Sequence, residues 1–308
     1  MTITKYSFHR NEDYSRVRDF LIETYNITKT YQNWIPSMFE NMWRGPCGPE
    51  YVDEEDEQVK IWEDDEKKDS ANQIVAVTII KPEGDCRILI HPEYRHLERE
   101  LVLWLEEQIK NYQKDQDKKL VFFCVNDWDL YRQELLQELG YEDKGPAEHE
   151  RIRPLSLPIP EVVLPEGYVI RDVDVETEFE KYHSVLSSVF RHCAVMTRYL
   201  AKNYSEAEFY NKELDLVVVT PDGNFAAFTT VRIDPVSRFA ELEPVGVHPD
   251  HRRKGLGKAI CCEGLRRLQK YDPQSVTIIG AAATEAATKL YDSLGFSRTS
   301  IHYWEKRW

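Results

Sequence analysis

The chain has 308 residues, of which 42% are hydrophobic, 12% aromatic and 31% charged, proportions that exclude a disordered, collagen-like or coiled-coil protein. At about 150 residues per domain, this length predicts two domains. The formal net charge of -14 opposes the phosphates that dominate nucleic-acid affinity, so DNA and RNA are excluded as expected partners and a cationic amine is favoured.

In the first half, residues 14–25 have helical spacing, 73–80 (QIVAVTII) and 86–90 (CRILI) read as strands, and 97–112 as an amphipathic helix. Residues 120–125 (LVFFCV) read as a buried strand and 130–139 as a helix ended by Gly140. The acidic run at 53–69 reads as a solvated loop or hairpin tip, and Trp34, Trp43 and Trp62 as core or interface anchors of this half. Pro154, Pro158, Pro160 and Pro165 make 146–166 a linker with at most a short edge strand. The second half repeats the order. A helix at 178–189 is followed by strands at 214–219, 225–231 and 239–247, with a hairpin turn at Pro221-Asp222-Gly223-Asn224. A helix at 255–271, a strand at 275–279, a helix at 284–294 and a last strand at 301–304 complete it. Helices alternating with strands indicate an α/β (α+β) fold.

Two segments repeat. HPEYRHLEREL begins at His91 and HPDHRRKGLGK at His248, each after an apolar strand and before a helix; Leu139-Gly140-Tyr141 answers Leu294-Gly295-Phe296. Two related domains in tandem follow, 1–145 and 167–308. Gly255 and Gly257 correspond to Glu98 and Glu100 in the first copy, and Tyr291 to Leu136. Paired carboxylates repel an anion where glycines admit one, so the first copy is expected to be a degenerate domain without a cofactor loop.

None of the six cysteines (Cys47, Cys86, Cys124, Cys193, Cys261, Cys262) has C-x-x-C spacing, which argues against a zinc site or disulfide framework and for reduced thiols in a cytoplasmic protein. The beginning MTITKYSFHR lacks an apolar signal core, and no apolar run nears the roughly 18 residues a membrane span needs, so no membrane association is expected. Neither monomer nor homodimer is distinguished. His248 and His251 read as loop residues because no third metal ligand accompanies them, and nothing around Arg191-His192-Cys193 marks a nucleophile.

The chemistry is concentrated in FAELEPVGVHPDHRRKGLGKAI, 239–260. A strand ends at Val247, and Arg252-x-x-Gly255-x-Gly257 opens a helix whose unpaired N–H groups suit a pyrophosphate. The loop is neither a Walker sequence nor G-x-G-x-x-G. Val247-His248-Pro249 with Arg252 to Gly257 resembles motif A of the GCN5-related N-acetyltransferase (GNAT) superfamily, and Ala287 to Phe296 resembles its A-x-x-L-Y-x-x-L-G-F motif. The layout is similar to tandem GNAT proteins of the mycothiol synthase-like kind, each domain a mixed, mostly antiparallel twisted sheet flanked by helices.

This resemblance implies acetyl-CoA as cosubstrate, with no metal, and direct acetyl transfer to a primary amine of a small-molecule acceptor. A silent CoA-binding sensor and a protein N-acetyltransferase are the alternatives. It implies that Val245, Gly246, Val247, Arg252, Arg253, Lys254, Gly255, Leu256, Gly257 and Lys258 bind the cofactor. Thr284 stands where the family often has an asparagine that contacts pantetheine. Glu241 and Glu243, two apart on one strand, are alternative bases. Tyr291 fits the family's general acid, and Pro244 is expected to interrupt the strand ladder. Tyr199, Tyr204 and Tyr210 either line an acceptor cleft or pack.

Overall fold

A computed structural model of the chain describes residues 2–45, 55–67, 73–117, 119–281 and 284–308. Its elements gather into two units that are not contiguous in sequence: Met1–Ile35, Asp53–His149 and Thr299–Trp308 form one, and Pro36–Val52 with Glu150–Arg298 the other.

In the first unit β1 (Ile3–His9) leads into α1 (Arg10–Thr28). After α2 (Pro36–Arg44), a member of the second unit, come β2 (Glu55–Asp64), β3 (Ile74–Ile80) and β4 (Cys86–Ile90). These strands form an antiparallel sheet in the order β1-β2-β3-β4. Every residue of β3 is buried, as expected of a central strand covered on both faces. A 3-10 turn (Pro92–Leu97), α3 (Glu98–Tyr112), β5 (Leu120–Asn126) and α4 (Leu130–Glu138) follow. Leu101, Leu105 and Ile109, at helical steps on α3, pack with Val75, Ile80 and Phe123 in the core.

Three expectations are corrected here. The acidic run does not form a loop: β2 pairs with β1 and β3, and Val59 and Ile61 alternate into the core with half-buried Lys60 between them, while Glu57 is exposed. Positions 53, 54, 68 and 69 lie outside the described residues. The supposed linker begins inside β6 (Glu142–Pro154), a 13-residue strand in which Arg151 and Arg153 are fully buried. Arg153 is tolerated there because its guanidinium donates to the carbonyls of Leu294, Pro154, Leu157 and Pro158. The last strand, β12 (Ser297–Arg307), pairs antiparallel with β5 from Ile301↔Asn126 to Arg307↔Leu120 and buries Trp304 in the first core.

The second unit contains β7 (Val169–Asp172), α5 (Phe179–Val189), α6 (Arg198–Ser205), β8 (Asp215–Val219) and β9 (Phe225–Ile233). It continues with β10 (Ala240–Val247), α7 (Leu256–Leu268), β11 (Ser275–Ala281) and α8 (Glu285–Asp292). The sheet runs β11-β10-β9-β8-β7. The β10–β11 pair is parallel, its strands joined by the α7 crossover, while β10–β9, β9–β8 and β8–β7 are antiparallel, β7 reaching β8 by way of α5 and α6. Cys261 and Leu265 of α7 pack on Val231, Leu242 and Val276, and Tyr182, Val185 and Leu186 of α5 pack with Val217 and Phe228. Trp43, expected to anchor the first half, belongs instead to the second unit, where its ring meets Phe39 edge-on.

The sequence repeat has a structural counterpart. His91 and His248 each accept a hydrogen bond at Nδ1 from the amide two residues on, at 3.3 and 3.2 Å, and each opens a proline-started 3-10 turn. Gly140 and Gly295 both have φ of +83°, the left-handed conformation that ends a helix. The amides of Tyr141 and Phe296 then return to the carbonyls of Leu136 and Tyr291.

Four cysteines are free thiols: Cys86, Cys124, Cys261 and Cys262. Cys193 is disulfide-bonded, against the expectation of reduced thiols throughout; Cys47 lies outside the described residues. Cys193 is thereby also removed from consideration as a nucleophile. Among the described residues no helix is long and apolar enough to cross a membrane, and no group of histidines, cysteines or carboxylates is arranged to hold a metal.

Candidate functional site

β10 pairs with β11 at Ala240↔Val276 and Glu241↔Thr277, and among the described residues no further. On its other side, its register with β9 slips between Leu242 and Val245, where the Glu243-Pro244 peptide bond is cis. Pro244 has no N–H to give to a ladder. The second half of the strand, Val245 to Val247, keeps β9 as its neighbour and among the described residues has no strand partner on its β11 side. Gly246 is required here: a Cβ would lie 2.3 Å from Cζ of Phe228 on β9.

The open side leads to the start of α7. Arg253 has φ of +61° and Gly255 of +80°, two left-handed residues immediately before α7. A side chain on Gly255 would meet open space, so its backbone conformation rather than crowding selects glycine. Gly257 lies between strand and helix: its Cβ would come 3.3 Å from Val247 and 3.7 Å from Leu290. Arg252, Arg253, Lys254 and Gly255 are exposed, Lys258 is half-buried and Leu256 is buried as the helix's core anchor. Arg252 Nε donates to the Val247 carbonyl at 3.3 Å and Lys254 Nζ to the Tyr168 hydroxyl at 3.1 Å. Thr284 caps α8, its Oγ1 accepting from the Ala287 amide at 3.2 Å; its O–H stays available as a donor.

The two candidate carboxylates differ sharply. Glu241 is 2% exposed, and its Oε2 accepts from Arg232 Nη1 at 3.3 Å and from Ser37 Oγ at 3.0 Å. It is not an exposed strand residue. Glu243 is half-buried, and loss of water pushes its carboxyl up to about 7, opposed by the Arg232 charge and reinforced by that of Glu241. Tyr291 is buried beneath α7, with the Arg151 guanidinium 5.5 Å from its ring centroid. Burial, then Cys261 and the Glu243 charge, raise its phenol well above 10 despite Arg151, which keeps the proton on oxygen.

The remaining candidates separate clearly. His248 caps its turn, and His251 Nδ1 lies 3.0 Å from the Tyr168 hydroxyl. Tyr199 is exposed, Tyr204 is fully buried, and the Tyr210 hydroxyl donates to Asp215 at 2.9 Å. Sequence reasoning passed over Arg232 and the α2 residues that meet it. A lone arginine inside the apolar run FTTVRI implies a buried charge needing a partner, and Glu241 stands directly opposite it in register.

The site thus brings together a strand that parts from its parallel neighbour, a glycine-bearing helix start at its end, and the side chains of Glu243 and Tyr291, whose charges act on each other. The family model "Acetyltransferase (GNAT) family" matches residues 179–296, from the start of α5 to the turn after α8. Among curated proteins the chain is similar to the mycothiol acetyltransferase of Salinispora arenicola, 31% identical over 175 residues, covering 54% of this chain and 57% of that one. It is likewise similar to that of Paenarthrobacter aurescens, 27% identical over 179 residues and 55% of each. The chain thus spans little more than half the length of these relatives. Of solved structures, a GCN5-related N-acetyltransferase from Sphaerobacter thermophilus has a TM-score of 0.65 at 16% identity, covering 99% of this chain and 95% of that one. A tandem GNAT protein from the clavulanic acid biosynthesis pathway has a TM-score of 0.64 at 15% identity, covering 99% and 98%. The fold is a tandem GNAT fold.

Proposed function

We propose that this chain is an acetyltransferase that moves an acetyl group from acetyl-CoA to a primary amine of a small-molecule acceptor, with the second unit as the catalytic one. The observation that carries the reading is the parting of β10 from β11 after Glu241, with the α7 start at one end of the gap and Glu243 and Tyr291 along it. The diphosphate of CoA fits the amides from Lys254 to Gly257, with Arg252, Arg253, Lys254 and Lys258 adding charge. The His248 amide donates to the Ala226 carbonyl on β9, so by strand alternation the amides of Val245 and Val247 face the other side, where they suit the pantetheine arm and the thioester oxygen.

Glu243 is the base in this scheme, because a carboxyl near 7 is matched to proton transfer at neutral pH while Glu241 is tied in an ion pair. The acceptor's ammonium gives its proton to Glu243, and the freed amine attacks the thioester carbon. The C–N bond forms, the C–S bond breaks, Tyr291 gives its proton to the departing thiolate, and the second proton of the attacking nitrogen, shed as the amide forms, restores the Tyr291 phenol, while Glu243 releases its proton to solvent. The first unit takes no part in binding the cofactor. Its Glu98, at the position of Gly255, is right-handed helical at φ −56° and buried, and it accepts from Arg95 at 2.6 Å and from Arg132 at 3.1 Å. Two internal carboxylates, Glu98 and Asp129, already pair with the guanidinium groups there.

The test is release of free CoA thiol with acetyl-CoA and a panel of amines. Amine-dependent thiol release that is lost in Gly257→Glu supports the proposal. No release with any amine, together with no acetyl-CoA binding, refutes it.

A further inference from the structure

The helix α2 precedes the catalytic strand by some two hundred residues of sequence, yet it belongs to the same unit. It presents Ser37, Glu40, Asn41 and Arg44, spaced three and four apart, along one face. Each meets the second unit. Ser37 Oγ donates to Glu241 Oε2 at 3.0 Å, and Asn41 Oδ1 accepts from Arg232 Nη2 at 3.1 Å. Glu40 Oε2 accepts from the Phe209 amide at 3.4 Å, and Arg44 Nη1 donates to Asn203 Oδ1 at 3.2 Å. Arg232 is 5% exposed, and its guanidinium also lies 5.1 Å from the Phe209 ring centroid and 5.9 Å from that of Tyr204.

Resting on the assignment of Glu243 as base, we propose that Ser37 and Asn41 are positioning residues: they fasten the Arg232–Glu241 pair beside Glu243 and so govern its uptake of the acceptor's proton. The geometry leaves few other controls. Among the described residues the charged and titratable groups acting on Glu243 are Arg232 on β9 and Glu241 on β10, while Tyr291 on α8 senses its charge and Tyr204 on α6 reaches it through Arg232. Arg232 favours the ionised base and Glu241 opposes it. The Ser37 hydroxyl donates to the carboxylate of Glu241 and so weakens its field at Glu243; Asn41 holds the guanidinium from the side away from Glu241. A buried pair of this kind holds its geometry better as its other hydrogen-bonding positions are filled, and α2 fills one on each partner: Glu241 Oε2 through Ser37 and Arg232 Nη2 through Asn41.

The experiment is the pH dependence of kcat/KM for the amine in the full chain, which reports the base of the free enzyme. Arg232→Gln is expected to move the acid limb up by about one pH unit and Glu241→Gln to move it down by about as much. Ser37→Ala, the mildest change, moves it up by a smaller step, and Ser37→Thr restores it. The KM for acetyl-CoA stays unchanged in Ser37→Ala, because the diphosphate cradle lies at the other end of β10, and this also reports that the variant is folded. If Glu243→Gln removes the acid limb but Arg232→Gln, Glu241→Gln and Ser37→Ala leave it in place, the positioning role is wrong and the base assignment stands. If the limb survives Glu243→Gln, the base assignment itself falls. A fall in kcat/KM without displacement of the limb makes α2 merely structural and overturns the proposal.

Discussion

Asp215, the first residue of β8, is fully buried, and desolvation holds its carboxyl at about 7 against an ordinary 3.8, even though Thr230 Oγ1 and the Tyr210 hydroxyl donate to it, each at 2.9 Å. A carboxyl whose pKa is raised on folding stabilises the fold least at high pH. The unfolded chain ionises from about pH 4 while the folded one resists until about 7, so stability is lost across that window. At about 1.4 kcal/mol per unit, the shift corresponds to roughly 4 kcal/mol of destabilisation at pH 8 and about 1–2 kcal/mol at pH 5. Asp215→Asn keeps the shape, leaves the Thr230 and Tyr210 hydroxyls a partner, and removes the ionisation. Its stability relative to wild type should therefore rise by roughly 3 kcal/mol between pH 5 and pH 8. Urea denaturation at the two pH values, followed by a probe of the second unit's transition, measures the difference. A stability gap that is the same at pH 5 and pH 8 refutes the argument, because it would mean that Asp215 ionises alike in both states.

Gly257→Glu places a carboxylate between Val247 and Leu290 at the mouth of the cradle; calorimetry should show acetyl-CoA binding abolished. Tyr291→Phe should lower kcat by about a hundredfold or more while the affinity for acetyl-CoA stays near wild type, as binding and single-turnover measurements would show. Glu98→Ala leaves Arg95 and Arg132 with Asp129 as their remaining shared carboxylate and should destabilise the first unit by about 1–3 kcal/mol, read from its denaturation midpoint. Titration of the full chain with CoA should saturate at one molecule per chain; two per chain would contradict the reading of Glu98 as an internal plug.

Most regular elements of both units were legible because their apolar periodicity is strong: α3, β3, β5, β9 and α7 lie within a residue or a few of their expected bounds. The glycine-rich helix start was legible for a different reason, since Gly255 and Gly257 stand at positions where backbone conformation and close approach leave little choice. What failed was sequence pattern weakened by charge. β2 is written in glutamates and aspartates, and only Val59, Ile61 and Trp62 carry its burial signal. β6 carries two arginines whose burial depends on carbonyls and a carboxylate far along the chain, such as Leu294 and Asp292, which no local pattern announces. The same holds for Glu241: its spacing from Glu243 is visible, but its engagement by Arg232 and Ser37 is a tertiary fact that separates one carboxylate as base from the other as partner.

The interleaving of the two units bears on when each can be completed as the polypeptide is made. The strand that closes the first unit against β5, and with it Trp304, emerges only after all of the second unit, so a nascent chain must hold β5 with one edge uncovered until then. Residues 36–44 emerge early yet wait for β9 and β10 to receive Ser37 and Asn41. Emergence of β12, rather than the passage of either half, is the event after which both hydrophobic cores can be whole.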